Sequence, residues 1–392
     1  MDANEAGRLA ADVARVLPPT LVPFFDGRFV RSDRLFDDYV RRLALEVLAE
    51  TELDAALLGW STAADAAART GLHRDVSLVP VAWMLSYLAA RGHLARQDDR
   101  GVTRFRVECP LPVLDPAPVA AEQKAHDPAC LPSYTLAETA RRDYPAFLRG
   151  ERSGDEILLA PRRLTLWTGY FSNDNPLYAV NNRVGAAALA AWMPAGATIL
   201  ELGGGLGSAT AVALEHLDTT GRIGAVRYRF TELVLPFLRR AERLRDRFAG
   251  ADLTFEPLDM NRPFAEHGVA PESVNVVYAV NALHVAHDLA FTLGEIRRAL
   301  EPGGQVVLAE GVRPRPGQAL YAEFVFNLME TFRAPKLDPV YRPNGGFLAA
   351  EQWSAALQAA GFRDVRVMPD IARVRAVAPQ FSVAAIAATR AD

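Results

Sequence analysis

Within ATILELGGGLGSATAVALEHL, an apolar run from Thr198 to Leu202 ends in Glu201-Leu202-Gly203-Gly204-Gly205-Leu206-Gly207 and passes straight into a helical pattern. Glycines allow a tight turn and let a ligand approach the backbone, while the acid near the strand end can accept hydrogen bonds or pair with a cationic group. Dinucleotide-binding proteins use such a turn too, so its neighbours decide. AVRYRFTELV closes a second strand on Glu232, 25 residues after Gly207, where a carboxylate can grip both hydroxyls of a ribose. LTFEPLDMN places Asp259 after a third strand, where it can accept from an adenine amine while Met260 packs against the ring. SVNVVYAVNALHVAHDL forms a fourth strand ending at Asn281 and His284, and EPGGQVVLAEG forms a turn and a fifth strand ending in Glu310. Acids and polar groups thus fall at successive carboxyl ends of parallel strands, the edge where open α/β sheets bind ligands.

Positioning these groups requires a sheet, and from about Ala195 the chain alternates strand and helix as a parallel α/β sheet does. Before it, LTLWTGYFSNDNPLYAVNNRVGAAALAAW reads as a connecting helix pair, and a helical segment runs from about Thr135 to Arg149. Residues 109–135 hold six prolines, Pro110, Pro112, Pro116, Pro118, Pro128 and Pro132, and read as a linker. Residues 30–108 give a helix in LFDDYVRRLALEVLAETEL, two more in STAADAAARTG (Ser61 or Thr62 as N-cap) and SLVPVAWMLSYLAARG, then a hairpin turning at Asp99-Arg100-Gly101. That order is a winged-helix pattern. Its presumed recognition helix, Val79 to Ala90, carries no basic residue and presents Trp83, Met84, Leu85, Tyr87 and Leu88, so dimerisation or packing is expected in place of DNA binding. The expected division is a winged-helix-like dimerisation and lid domain over 1–108, a linker with connecting helices over 109–163, and an α/β domain with a Rossmann-like, mostly parallel seven-stranded sheet over 164–392.

Composition narrows the function classes. The 392 residues are 50% hydrophobic and 23% charged, with 43 basic against 47 acidic side chains and a net charge of −4, which lacks the basic field of a dedicated nucleic-acid binder. Cys109 and Cys130 stand alone, without zinc-ligand spacing, and His73, His93, His126, His216 and His267 are scattered, so no metal site is expected. The first residues carry no basic leader followed by an apolar run, and no stretch reaches about 18 apolar residues, so a cytoplasmic protein with no membrane segment is expected.

The stretch from about Leu164 to Thr389 resembles the class I S-adenosylmethionine-dependent methyltransferases through the glycine turn, Glu232, Asp259-Met260 and NALH, in order and spacing. YRFTELVLPFL, NALHVAHDL, VVLAE and GGFLAAEQWSAALQAAGF resemble the methyltransferase domains of polyketide synthases, and the N-terminal region resembles small-molecule O-methyltransferases, which usually dimerise through it. The resemblance implies S-adenosylmethionine as cofactor and S-adenosylhomocysteine as product. Glu201, Gly203, Gly205 and Gly207 would surround the methionyl part, Glu232 and the adjoining Leu233 the ribose, Asp259 and Met260 the adenine, and Asn281 the sulfonium side. It further implies His284 as general base with Glu310 orienting and charging it, which suits a reaction that must remove a proton near neutrality. Glu232 departs from the more frequent Asp, and VAHDL lacks the tryptophan of plant-type O-methyltransferases. His287, a second candidate base, reads as a solvated helix-start residue.

In this family the region of Trp167, Tyr170, Phe171 and Tyr178 covers the cofactor and builds an aromatic pocket wall, and the helical segment ALYAEFVFNLMETF, with Tyr321, Phe324, Asn327 and Met329, would form the other. Both sets equally suit core packing. The leading expectation is methyl transfer to carbon or oxygen of a small or carrier-attached secondary metabolite, by a homodimer, with room for a partner protein. Two alternatives are a protein that keeps S-adenosylmethionine only as a positive charge for an elimination, cyclisation or rearrangement, and a ligand-sensing DNA-binding regulator.

Overall fold

A computed structural model describes residues 3–391. It divides into two compact units, one built mainly from Arg28–Tyr170 and Gly317–Ala334, the other from Gly7–Gly27, Phe171–Pro316 and the chain from Pro335 onward.

The first unit is mostly helical. Helix Gly27–Glu50 buries one face through Leu35, Phe36, Tyr39, Leu43 and Val47. Helix Ala63–Arg69 starts on Thr62, whose side chain accepts the Asp65 N–H at 3.1 Å, a cap worth about 1 kcal/mol. Helix Arg74–Ala89 and the antiparallel hairpin β1 (Ala95–Asp99) and β2 (Val102–Arg106) follow, with positive φ at Arg100 and Gly101 fitting the twist of a two-residue turn. Trp83, Met84, Leu85, Tyr87 and Leu88 are all buried, so the face read as a recognition helix is core.

Two sequence expectations are corrected here. Residues 109–135 are not a bare linker: helix Ala117–His126 and the start of helix Leu131–Leu148 lie within it. Pro118 and Pro132 occupy the first turns, where the missing N–H would have no intrahelical partner anyway. The stretch ALYAEFVFNLMETF is two short helices, Glu323–Phe326 and Glu330–Arg333, packed into this unit's core. Phe324 stacks on Tyr144 at 4.8 Å, the Trp83 indole N–H donates to the Leu320 carbonyl at 3.1 Å, and the Tyr321 hydroxyl to Asp33 at 2.7 Å.

The second unit is a seven-stranded sheet in the order β5-β4-β3-β6-β7-β9-β8, comprising β3 (Thr198–Glu201), β4 (Arg227–Thr231), β5 (Asp252–Glu256), β6 (Val274–Val280), β7 (Leu300–Gly311), β8 (Phe362–Met368) and β9 (Val383–Arg390). The first five are parallel, and β9 pairs antiparallel with both β7 and β8. Central strands β3 and β6 are buried through Ile199–Glu201 and Val276–Val280, as strands covered on both faces are. The order reverses at β3, because the β3–β4 connection runs to one side of it and the β5–β6 connection returns to the other, and it is at the carboxyl edge of such a switch point that doubly wound sheets bind ligands. No helix of the described residues is long and apolar enough to cross a membrane.

Candidate active site

The glycine turn leaves β3 under tight steric control. A Cβ on Gly204 would come within 2.2 Å of the Phe230 ring from β4, so the backbone there lies directly on the aromatic face. Gly205, at φ +59°, has nothing within 4 Å of its Cβ position, so this part of the turn faces open space. Its N–H donates to Glu232 Oε2 at 2.8 Å, and the Val234 N–H donates to Oε1 at 2.7 Å. Glu232 therefore ties the end of β4 to the glycine turn. Burial pushes its carboxyl up, against the lowering effect of those backbone bonds.

Glu201 is buried, and burial lifts its carboxyl to about 7. Its Oε2 accepts from Thr210 Oγ1 at 2.6 Å and from the Tyr228 hydroxyl at 3.0 Å, whereas Oε1 has no hydrogen-bond partner among the described residues. A buried carboxylate oxygen left over beside an open glycine turn is suited to a ligand with a cationic or donor group. Asp259, half-buried after β5, accepts from the Asn261 backbone N–H at 2.9 Å and its side-chain amide at 3.1 Å. Met260 lies close enough to the turn that a Cβ on Gly203 would be 3.5 Å from its terminal methyl. Leu233 is exposed beside Glu232.

Just after β6 stands Asn281, a non-glycine residue at φ +48°, whose Oδ1 accepts the Gly311 N–H at 2.9 Å. The chain then folds into the turn Leu283–Val285, which presents His284. His284 Nδ1 and Glu310 Oε2 are 2.7 Å apart, and Glu310 is fully buried. Glu310 Oε1 accepts from the Ala282 and Leu283 N–H groups at 3.2 and 3.0 Å. A carboxylate held this way accepts a hydrogen bond from Nδ1–H, which favours the tautomer with its lone pair on Nε2. Phe347 packs on the imidazole with ring centres 4.6 Å apart. His287 is exposed just before helix Leu289–Ala299, which Asp288 caps.

The structure thus brings the glycine turn, Glu201, Glu232, Asp259, Met260, Asn281, His284 and Glu310 to one edge of one sheet. The aromatic candidates divide. Phe171 and Tyr178 lie in the second unit, 5.0 Å apart, with Phe237 against Phe171. Trp167, Tyr170, Tyr321, Phe324 and Asn327 lie in the first: Trp167 donates to the Leu158 carbonyl and stacks near Phe326, while Phe324 and Asn327 are buried. Sequence reasoning missed Thr210 and Tyr228, which hold Glu201, and Arg342, whose guanidinium donates to the His284 and Ala286 carbonyls at 2.6 Å each. Thr210 and Tyr228 sit on the inward faces of their elements; Arg342 lies in a loop with no periodic signal.

Comparison with known proteins agrees with this fold. Residues 200–306 match the family described as Methyltransferase domain. The polyketide synthase component of lovastatin nonaketide synthase from Aspergillus terreus is 33% identical over 169 residues, 43% of this chain and 5% of that protein; the chain spans only a small part of such relatives. The CurJ carbon methyltransferase superposes with a TM-score of 0.76 at 22% identity over 98% of this chain and 99% of that one. The trans-methyltransferase CalH in complex with SAH gives 0.61 at 19% over 91% and 90%. The matched segment contains the glycine turn, Glu232, Asp259 and His284, and residues 200–306 form a methyltransferase domain of the S-adenosylmethionine-dependent class, with S-adenosylmethionine as its cofactor.

Proposed function

We propose that this chain methylates an acidic carbon of a small or carrier-attached acceptor in secondary metabolism, with His284 as the general base and Glu310 orienting it. The observation that carries the reading is the buried His284–Glu310 pair at the ends of adjacent strands, on the same edge as the glycine turn. S-adenosylmethionine supplies an electrophilic methyl group. Glu201, the turn around Gly203, Gly205 and Gly207, Glu232 with Leu233, Asp259 with Met260, and Asn281 would hold it, and the leftover Glu201 oxygen is suited to its charged methionyl end.

The residues then divide the work. His284 Nε2 takes a proton from the acceptor as its carbon becomes nucleophilic. Glu310, committed through Oε1 to two backbone N–H groups, cannot turn away and balances the positive charge that develops on the ring. Burial around the pair excludes water, which strengthens that electrostatic balance. A methylene between a ketone and a thioester is acidic enough for an imidazole to deprotonate, whereas a simple alcohol is not. The carbon methyltransferase neighbours favour the same choice. Phe171 and Tyr178, in the same unit as the glycine turn, would cover the cofactor. A homodimer formed through the N-terminal helices completes the proposal and is tested by sedimentation.

The test incubates the protein with methyl-labelled S-adenosylmethionine and a β-keto N-acetylcysteamine thioester, following label and S-adenosylhomocysteine together. Label should enter the carbon between the two carbonyls, and His284→Ala should slow transfer by about 10²–10⁴-fold. Conversion that requires the cofactor yet leaves it intact would overturn the methyl-transfer reading.

A further inference from the structure

The turn carrying His284 is fixed from both sides by side chains of opposite charge. Glu310 accepts the N–H groups of Ala282 and Leu283 that enter the turn. Arg342 donates to the carbonyls of His284 and Ala286 that leave it, at 2.6 Å each. A carboxylate has only acceptors and a guanidinium only donors, so each satisfies the end whose backbone polarity it matches. Arg342 is 1% exposed, has no carboxylate within salt-bridge distance among the described residues, and leaves its Nε without an acceptor. Burying a guanidinium on these terms is a poor way to gain stability, since apolar side chains of similar volume usually do at least as well. What Arg342 supplies instead is the orientation of a particular stretch of backbone.

Its own position is equally determined. Asp338 and Arg342 exchange backbone hydrogen bonds at 2.9 and 3.0 Å, and Asp338 Oδ1 closes the intervening turn by accepting from Val340 and Tyr341. Upstream, the Lys336 N–H donates to the His287 carbonyl at 2.7 Å, and its ammonium pairs with Asp288 at 2.6 Å. Downstream, Phe347 lies on the His284 ring. The segment from Lys336 to Phe347 is therefore a strap that touches the His284 turn at three places.

We propose that Arg342 is the positioning residue of the catalytic base: by clamping the two carbonyls it holds the His284 ring in line with Glu310. This rests on the reading of His284 as the base. The role predicts a split between rate and binding, because the cofactor residues on β3, β4 and β5 make no hydrogen bond to Arg342.

The experiment compares wild type with Arg342→Met and Arg342→Lys by steady-state methylation of the β-keto thioester, calorimetric titration with S-adenosylmethionine, and proton NMR of the downfield His284 Nδ1–H resonance, assigned by its loss in His284→Gln. In Arg342→Met, kcat should fall tenfold or more while KM and cofactor affinity stay within twofold, and the Nδ1–H signal should broaden or vanish. Arg342→Lys, with one ammonium in place of a fork, should lose about threefold or more in kcat and keep the signal. A folded Arg342→Met with wild-type kcat and signal, or one losing cofactor affinity in parallel with rate, overturns the proposal. Should Arg342→Met fail to fold, unchanged kcat in Arg342→Lys overturns it. If wild type methylates nothing, the functional reading fails, yet the Nδ1–H signal still decides whether Arg342 holds the ring.

Discussion

Burial lifts the Glu201 carboxyl to about 7, well above its ordinary 4.5, with the neighbouring Glu232 adding to the rise. A carboxyl raised on folding contributes stability that is fully present below its unfolded value and is lost as pH climbs through the folded one. The cofactor-free protein should therefore lose stability between about pH 4.5 and 7 through this residue, and Glu201→Gln should flatten that slope, so that thermal melts of the two diverge toward alkaline pH in favour of the variant. A cationic ligand against Oε1 reverses the preference and favours the carboxylate. Wild type should then release part of a proton on binding S-adenosylmethionine near pH 7 and bind it more weakly below that pH. Glu201→Gln should show neither effect by calorimetry in buffers of differing ionisation enthalpy; proton release unchanged in the variant would remove Glu201 from the methionyl end. Glu201, Glu232, His284 and Glu310 are legible in the sequence because each interrupts an apolar strand at its end, and strand ends in a parallel sheet converge. Arg342 was not, because its partners are backbone carbonyls 56 and 58 positions away, which leave no trace in residue type.

The glycine turn separates two uses of a missing side chain. Gly204→Ala would force a Cβ to 2.2 Å from the Phe230 ring and so should cost about 3 kcal/mol in stability, read by denaturant unfolding. Phe230→Leu in the same chain should recover part of that loss. Gly205→Ala meets nothing, and its positive φ costs about 1 kcal/mol, but its methyl would project from the turn into the open space where the cofactor would lie. It should unfold nearly as wild type does and bind S-adenosylmethionine at least tenfold more weakly. Equal binding by Gly205→Ala and wild type would mean that the ligand does not approach this face. Strands were readable at this scale because period and length agree. The helices among the prolines were not, since the same residue that breaks a helix interior also opens one, and only the position within the element tells the two apart.

At the scale of the whole chain, a boundary drawn at residue 164 treats everything after it as one contiguous domain, whereas Gly317–Ala334 belongs to the helical unit. Local pattern cannot show this, because an apolar segment carries no record of which core it enters. Its side chains do: Phe324, Leu328 and Phe332 are buried, Tyr321 bonds Asp33, and a Cβ on Gly154 would meet the Leu328 carbonyl oxygen at 1.8 Å. A fragment of residues 164–392 would leave these three side chains without their partners, at about 2 kcal/mol each, and would also lose Phe25 from its place 5.0 Å from Phe381. That fragment should aggregate in size-exclusion chromatography. Restoring residues 7–27 and replacing 317–334 by a short Gly/Ser linker should return a soluble species that melts cooperatively and binds S-adenosylmethionine. The residues proposed to hold the cofactor all lie in the second unit, so binding should survive even where acceptor methylation does not. A well-folded 164–392 fragment with Phe324 and Phe332 exposed would show that the helical unit does not claim the segment energetically.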